Sequence, residues 1–323
     1  MLVSLALLAV VLAQVDLGQS LRQLARLESG LLLVAVAVTT VLVPLRPLRW
    51  QAIFPPAARP GFWVCFRALA VGNLTNNALP GRAGDLLRCL LVRREHAATA
   101  ASLALATVGV EKVLDGLALL GVLALSFLVF RPPWWVGELG LLGGLAFGGA
   151  FLLLLAVRSR TEWVLGLLRR LSRAAQVPAF GERTAGFIRR FADGLGVVTS
   201  ASRFFSLGLF TLVIWAGEAV LVWALAMALH VSLSLPAAAL VSAVLGLGLA
   251  IPAAPGFVGT YEFFSVSALR LLGVPPESAL ALTLVMHGWA LLNTTLVGLM
   301  GLAASGLRWS HLVGARIQER PTT

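Results

Sequence analysis

Glu111, Lys112 and Asp115 are the only charged residues in the apolar stretch from Ala97 to Phe130. A charge at the centre of a bilayer costs roughly 2.5 to 3.5 kcal/mol, so such residues are usually paired and often functional. Glu111 and Asp115 are four apart and share one helix face, with Lys112 about 100° round the axis. Two chemistries fit this trio: an internal ion-pair cluster that locks helices together, or the lining of a polar pathway. Glu218 is alone in the run from Phe204 to His230 and needs a cation from elsewhere, for which Arg82, Arg88 and Lys112 are the candidates. His287, in another apolar run, can titrate near neutral pH. It fits either a proton-coupled carboxylate and histidine pair or a satisfied structural histidine.

A second constellation is built on turns. Pro80-Gly81-x-x-Gly84 and Pro255-Gly256-x-x-Gly259 both interrupt apolar segments. Glycine permits positive φ and close approach of backbone N–H groups to a ligand. A helix starting just after such a turn directs its positive dipole end at an anion such as a phosphate. Asn76, Asn77, Arg82, Asp85 and Arg88 bracket the first turn, and Glu262 follows the second. Arg82 and Arg88 together could hold a phosphate bidentately. A single break of this kind is more often a plain kink, and its repetition gives it weight.

Positioning these residues requires a membrane. Hydrophobic residues make up 59% of the 323 and charged ones 12%, and the mean hydropathy is +0.92, outside the range of soluble domains. Stretches of the length needed to cross a bilayer occur at Gly30 to Leu48, Ala97 to Phe130, Trp134 to Val157, Phe204 to His230 and Ser278 to Leu302. Leu2 to Val15 has no basic start and no small-residue cleavage site, and reads as a short first membrane helix followed by an interfacial connector. Two segments do not read as spans. Phe62 to Leu79 carries Arg67 and three asparagines and is followed by the short, charged Arg82 to Arg94. Leu235 to Ile251 breaks at Pro252 and Pro255 and is followed by Tyr261 to Leu272, half a membrane long. Each pair reads as a re-entrant helical hairpin. The arginine-rich stretch 158–203, with apolar residues at helical intervals, reads as cytoplasmic amphipathic helices on the membrane surface.

The two halves match at an offset of 175 at the turns, and at 176 after one inserted residue, where Thr107 meets Thr283 and Glu111 meets His287. Arginine bias places Arg46, Arg49, Arg93 and Arg94 on the cytoplasmic side, together with Arg308, Arg316 and Arg320. Arg22 and Arg26 are the exceptions. One extra span lies between the duplicated units, so the units are inverted. The expected chain is an all-α polytopic membrane protein with about six full spans and two re-entrant hairpins in an inverted repeat. Residues 1–28 form the first helix and connector, 29–130 the first repeat, 131–157 a linking span, 158–203 the basic cytoplasmic segment, 204–304 the second repeat and 305–323 a cytoplasmic tail. Interrupted helices in inverted repeats bind substrate near the midplane of secondary transporters, and non-helical backbone at that depth must be buried or line a wet cavity.

The formal charge of +11 rests on arginines clustered between apolar spans, which suits topology and anionic lipid rather than nucleic acid. Cys65 and Cys89 lack metal-ligand spacing and read as small buried hydrophobes. No phosphate-binding loop and no H-E-x-x-H is present, and Lys112 is the only lysine. ATP-driven transport by this chain alone, a cofactor and a metal are therefore not expected.

The strings Asn76 through Asp85 with Arg88, Glu111-Lys112-x-x-Asp115, Trp215 to Glu218, and Pro255 through Glu262 resemble the flippase-like lysylphosphatidylglycerol synthase transmembrane-domain family, which includes the flippase half of multiple peptide resistance factors. The likeness covers nearly the whole chain. Departures are Asp85 where the family pattern has Glu, Lys112 where it has Arg, and Phe257 where it has Gly, the last of which alters the tip of the second hairpin. The resemblance implies a lipid flippase of the inner membrane, moving an anionic or aminoacylated phospholipid between leaflets. Lysyl transfer is not expected, since the chain reaches Thr323 soon after its last span. The alternatives are a membrane-embedded lipid-modifying or glycolipid transferase, and a non-transporting partner of a separate lipid-modifying enzyme. Membrane phospholipids are the expected partners, and the sequence sets no oligomeric state.

Overall fold

The structure is a computed structural model, and it describes residues 2–25, 27–131, 133–174, 178–251 and 254–306. Arg26, Pro252 and residues 307–323, with Arg308, Arg316 and Arg320 of the expected tail, lie outside the described residues. The described chain is helical throughout: α1 (Leu2–Leu12), α2 (Leu17–Leu24), α3 (Ser29–Ile53), α4 (Phe62–Ala78), α5 (Ala83–Glu95), α6 (Ala101–Ser126), α7 (Trp134–Ser159), α8 (Thr161–Ala174), α9 (Pro178–Gly194), α10 (Ala201–Ala228), α11 (Leu235–Gly248), α12 (Thr260–Leu271) and α13 (Pro276–Ser305).

Four helices, α3, α7, α10 and α13, are long and apolar enough to cross a bilayer. The clearest physical sign is α7. Its hydropathy is the highest of the four, yet none of its most apolar window is buried inside the protein. Leu141, Leu142, Leu145, Leu152 and Leu153 all point outward. Such a surface is stable only where lipid solvates it, and the chain is a multi-pass membrane protein. α6 equals these helices in length, with 26 residues, and differs by carrying Glu111, Lys112 and Asp115. α1, counted among the spans on its apolarity, has 11 residues, which rise only about 16 Å, half of a hydrocarbon core. It bends by 85° into α2 and packs on α12.

The breaks fall where local chemistry requires them. Leu79 is extended (φ −119°, ψ 143°) ahead of Pro80, because a residue before proline is driven out of the helical region. Gly81 (φ 74°) and Arg82 (φ 57°) then reverse the chain. α4 and α5 fold back on each other with backbone in contact: a Cβ on Gly84 would lie 1.8 Å from the carbonyl oxygen of Gly72. In the second break Gly256 (φ 62°), Phe257 (φ 60°) and Gly259 (φ 87°) all take left-handed conformations. Here the close neighbour is α1, since a Cβ on Gly259 would lie 1.9 Å from the carbonyl oxygen of Ser4.

Packing crosses between the halves. α3 lies on α10, α4 on α13, and α11 on α6. Small residues bring α4 and α13 together, as membrane helices without a hydrophobic driving force require: Gly298 faces Leu74 and Gly301 faces Ala70. α8 and α9 pair with each other, as two amphipathic helices should. α9 also docks on α6, with Gly194 seated against Leu103 and Ala106, while its Phe187 stays exposed. Trp163, Leu167 and Leu171 of α8 stay exposed. Cys65 and Cys89 are free and buried.

Candidate functional site

Arg49 of α3, Asp85 and Arg88 of α5, and Glu111, Lys112 and Asp115 of α6 converge on one network. Arg88 reaches from α5 and is 2% exposed. Its Nη1 donates to both carboxylate oxygens of Glu111 (3.1 and 3.3 Å) and its Nη2 to Oε1 (3.2 Å). Nη2 is also 3.2 Å from Asp85 Oδ1, and the guanidinium carbon lies 4.7 Å from the Trp50 ring centre. The fork-to-fork geometry is the strong form of this interaction. Arg49 enters from α3, donating from Nη1 to Asp115 Oδ1 (2.5 Å) and Thr211 Oγ1 (3.1 Å), and from Nη2 to Asp115 Oδ2 (3.2 Å). Its Nη2 is 3.8 Å from Glu111. Trp215 of α10 donates its indole N–H to Asp115 at 3.1 Å. Lys112 closes the chain, with Nζ 3.6 Å from Asp85 Oδ2.

Burial divides this network into two parts. Arg49, Arg88 and Glu111 are enclosed, whereas the side chains of Lys112, Asp115 and Asp85 keep 38%, 21% and 14% of their surface. Glu111 is enclosed among its cations, and Lys112 and Asp115 are the more exposed members of the network. Glu218 pairs with Arg46 of α3, not with Arg82, Arg88 or Lys112. The reason is that α3 and α10 lie side by side, while Arg88 and Lys112 are engaged by Glu111 and Asp85 and Arg82 by the carbonyl of Leu249. Arg46 and Arg49 were read from the sequence only as topology signals. Their spacing of three, on one face of a helix that runs on to Ile53, was the signal that could have marked them as inward-facing.

Arg82 stands apart. From its left-handed position it donates to the carbonyl of Leu249, at the end of α11, and its guanidinium carbon lies 5.7 Å from the Phe257 ring centre. It therefore joins the two breaks. Its Nε is shielded and unbonded, as are those of Arg49 and Arg88 and Nδ2 of Asn77. Arg88, expected to share a phosphate with Arg82, has its guanidinium committed to Glu111 and Asp85. The amides expected to face a ligand are likewise engaged at the two matched glycines. Gly84 N–H donates to Asn76 Oδ1 (2.8 Å) and Gly259 N–H to Glu262 Oε2 (2.6 Å). Pro80 and Gly81 are exposed at the first tip, while Gly256 is buried in the second. Pro255 opens the short 3-10 turn that Gly256 continues.

The two halves carry analogous pairs. Glu111 of α6 is bonded to Arg88 on the second arm of the first break, and His287 of α13 is bonded to Glu262 on the second arm of the second (Nδ1 to Oε1, 2.5 Å). Among the four cations Arg49, Arg82, Arg88 and Lys112 and the three carboxylates Asp85, Glu111 and Asp115, one positive charge is in excess. The carboxylate-free cation is Arg82, whose polar contact is a carbonyl.

A helical membrane protein with a polar, charge-lined centre beneath two chain reversals is the class these features define. The chain belongs to the family described as the lysylphosphatidylglycerol synthase TM region, whose family model matches residues 1–298. Membership points to a lipid-related function in the membrane. Searches of curated proteins and of solved structures found no match.

Proposed function

We propose that this chain moves a phospholipid with an anionic or aminoacylated headgroup between leaflets of the inner membrane, without hydrolysing ATP itself. The observation that carries the reading is Arg82, a cation at the junction of the two breaks that is bonded to a carbonyl and has no carboxylate in ion-pair range among the described residues. A phosphate would replace a neutral carbonyl partner with a charged one, which is the stronger interaction. The headgroup would meet Arg82, with Asn76, Asn77 and Asp85 beside it and Lys112 on the rim.

We infer in addition that residues 29–130 and 204–304 are inverted repeats and that α4–α5 and α11–α12 are re-entrant hairpins. Helix lengths of 25, 17, 13 and 26 residues in the first unit recur as 28, 14, 12 and 30 in the second. The reciprocal packing of α4 on α13 and α11 on α6 is what a two-fold relation between units produces. The shorter arms, at about 18 to 26 Å, fall short of a full crossing. Rocking of one unit against the other would expose the site to each leaflet in turn. The basic α8–α9 segment supports a cytoplasmic position for that loop and, by span parity, for the C-terminus.

The test is leaflet exchange of fluorescent phosphatidylglycerol in vesicles containing the purified protein. Exchange is expected with the parent chain and should fall about tenfold or more in Arg82→Ala, since a hydrogen bond to a charged group contributes about 1.5 to 3 kcal/mol. Unchanged exchange in the variant refutes the site. A covalently altered lipid in place of exchange refutes transport in favour of a transferase.

A further inference from the structure

His287 is held at both ring nitrogens. Nδ1 lies 2.5 Å from Glu262 Oε1, and Nε2 lies 2.8 Å from the carbonyl oxygen of Gly256. A carbonyl oxygen only accepts, so Nε2 carries a hydrogen. The contact with Glu262 needs a second hydrogen, because an imidazole lone pair and an ionised carboxylate repel. The pair therefore holds one proton more than a neutral imidazole and a carboxylate do together. The Tyr261 ring lies flat on His287, with centroids 4.2 Å apart and planes within 5°. An aromatic face favours a cation, which places the extra proton on the imidazole.

This proton closes a ring of bonds around the second tip. The ring runs from the Gly256 carbonyl through Nε2 and Nδ1 of His287 to Glu262, and from Glu262 Oε2 to the Gly259 N–H at 2.6 Å. Inside the ring sits Phe257, left-handed at φ 60°, whose ring Arg82 overlies. The surroundings offer few substitutes for the proton. α1 and α11 bring no titratable side chain to the pair. On α10, Glu218 acts electrostatically on Tyr261 and is itself paired with Arg46. On α4, Arg67 is engaged by Glu95. Arg22 of α2, Arg203 of α10, Arg270 of α12 and Glu277 of α13 are the other charged groups of these elements; Arg203 donates to the carbonyls of Ala52 and Phe54, and Arg270 to Gln14.

We infer that the Glu262–His287 pair is the site of a coupling proton, held while the second tip is closed on Arg82 and released when the tip opens and frees Arg82 for a lipid headgroup. On release the proton passes from the imidazolium to water at the opened tip, leaving a neutral imidazole and an ionised carboxylate. Lipid binding and proton binding thereby oppose each other, and the two cargoes exchange. This rests on the lipid-transport reading above.

Two measurements separate the proton site from that reading. Nitrogen-15 histidine spectra of the full chain in lipid nanodiscs at neutral pH should show an imidazolium signal that is absent in His287→Gln and converted to that of a neutral ring in Glu262→Gln. In that variant the amide can donate to Nδ1 and accept from Gly259 with no extra proton. A neutral ring in the parent, with no protonated-carboxyl band in the infrared, overturns the proposal whether or not lipid moves. In phosphatidylcholine vesicles with fluorescent phosphatidylglycerol and the membrane potential clamped, a one-unit pH gradient should shift the leaflet ratio up to about tenfold for one proton per lipid. Glu262→Gln should make the ratio independent of the gradient. Rapid exchange by the parent with a ratio indifferent to the gradient overturns the coupling and leaves transport standing. No exchange by the parent overturns transport, and the imidazolium spectrum alone then supports or refutes the proton site.

Discussion

Replacing Arg88 with methionine should be among the most destabilising single changes in this chain. Arg88 is enclosed and binds Glu111 with two terminal nitrogens at 3.1 to 3.3 Å. Arg88→Met leaves Glu111, whose side chain is 8% exposed, with Arg49 at 3.8 Å as its remaining cation. Breaking one side of a buried pair costs about 3 to 5 kcal/mol, because the other charge stays desolvated. Arg49 offsets part of this, and Lys112 still neutralises Asp85, so the cost should fall near the lower end, at about 3 kcal/mol. Removing both charges is different. Arg88→Met with Glu111→Met replaces an ion pair by packed apolar groups, which is commonly neutral or stabilising, and should restore stability to within about 1 kcal/mol of the parent. The assay is unfolding in mild detergent by heat or by added denaturing detergent, for the parent, both single variants and the double. If Arg88→Met lies within about 1 kcal/mol of the parent, or the double variant is as unstable as the sum of the singles, the lock reading of this pair is wrong.

Two further predictions concern the second tip. Gly259→Ala places a Cβ 1.9 Å from the Ser4 carbonyl at φ 87°, so it should detach α1 from the tip, measured as faster proteolysis of residues 2–15 and a lowered unfolding midpoint. Phe257→Gly relieves a left-handed non-glycine residue, worth about 1 to 2 kcal/mol, and removes a ring contact with Arg82 worth about 0.5 to 1 kcal/mol. Loss of the ring's packing against the core opposes the first of these, so the readout is transport: leaflet exchange should become faster because Arg82 is less restrained, and slower exchange would contradict the role given to that contact.

Most of the secondary structure was legible. The break at Pro80 falls just after the helix end at Ala78, and Pro255 lies between the end of α11 at Gly248 and the start of α12 at Thr260, because proline and glycine act through local sterics. The long apolar helices declared themselves by hydropathy, which is set by composition alone. The carboxylate partners of Arg46 and Arg49 are not legible in the sequence for a related reason. Arginines near the end of an apolar run have the same one-dimensional pattern whether they meet water or a buried carboxylate. Only the pairing of α3 with α10 and the approach of α6 distinguish the two.

The sequence by itself determined that this chain resides in a membrane, that its apolar runs break at two Pro-Gly-x-x-Gly strings, and that a few charges must find partners in an apolar setting. These follow from burial costs and backbone sterics, which each residue carries with it. The tertiary structure decided which partners they find: Arg88 and Arg49 for Glu111 and Asp115, Arg46 for Glu218, and Glu262 for His287. It also left Arg82 facing a carbonyl and a ring in place of a carboxylate. Pairing depends on distances between segments up to 172 residues apart, and no local pattern encodes those distances.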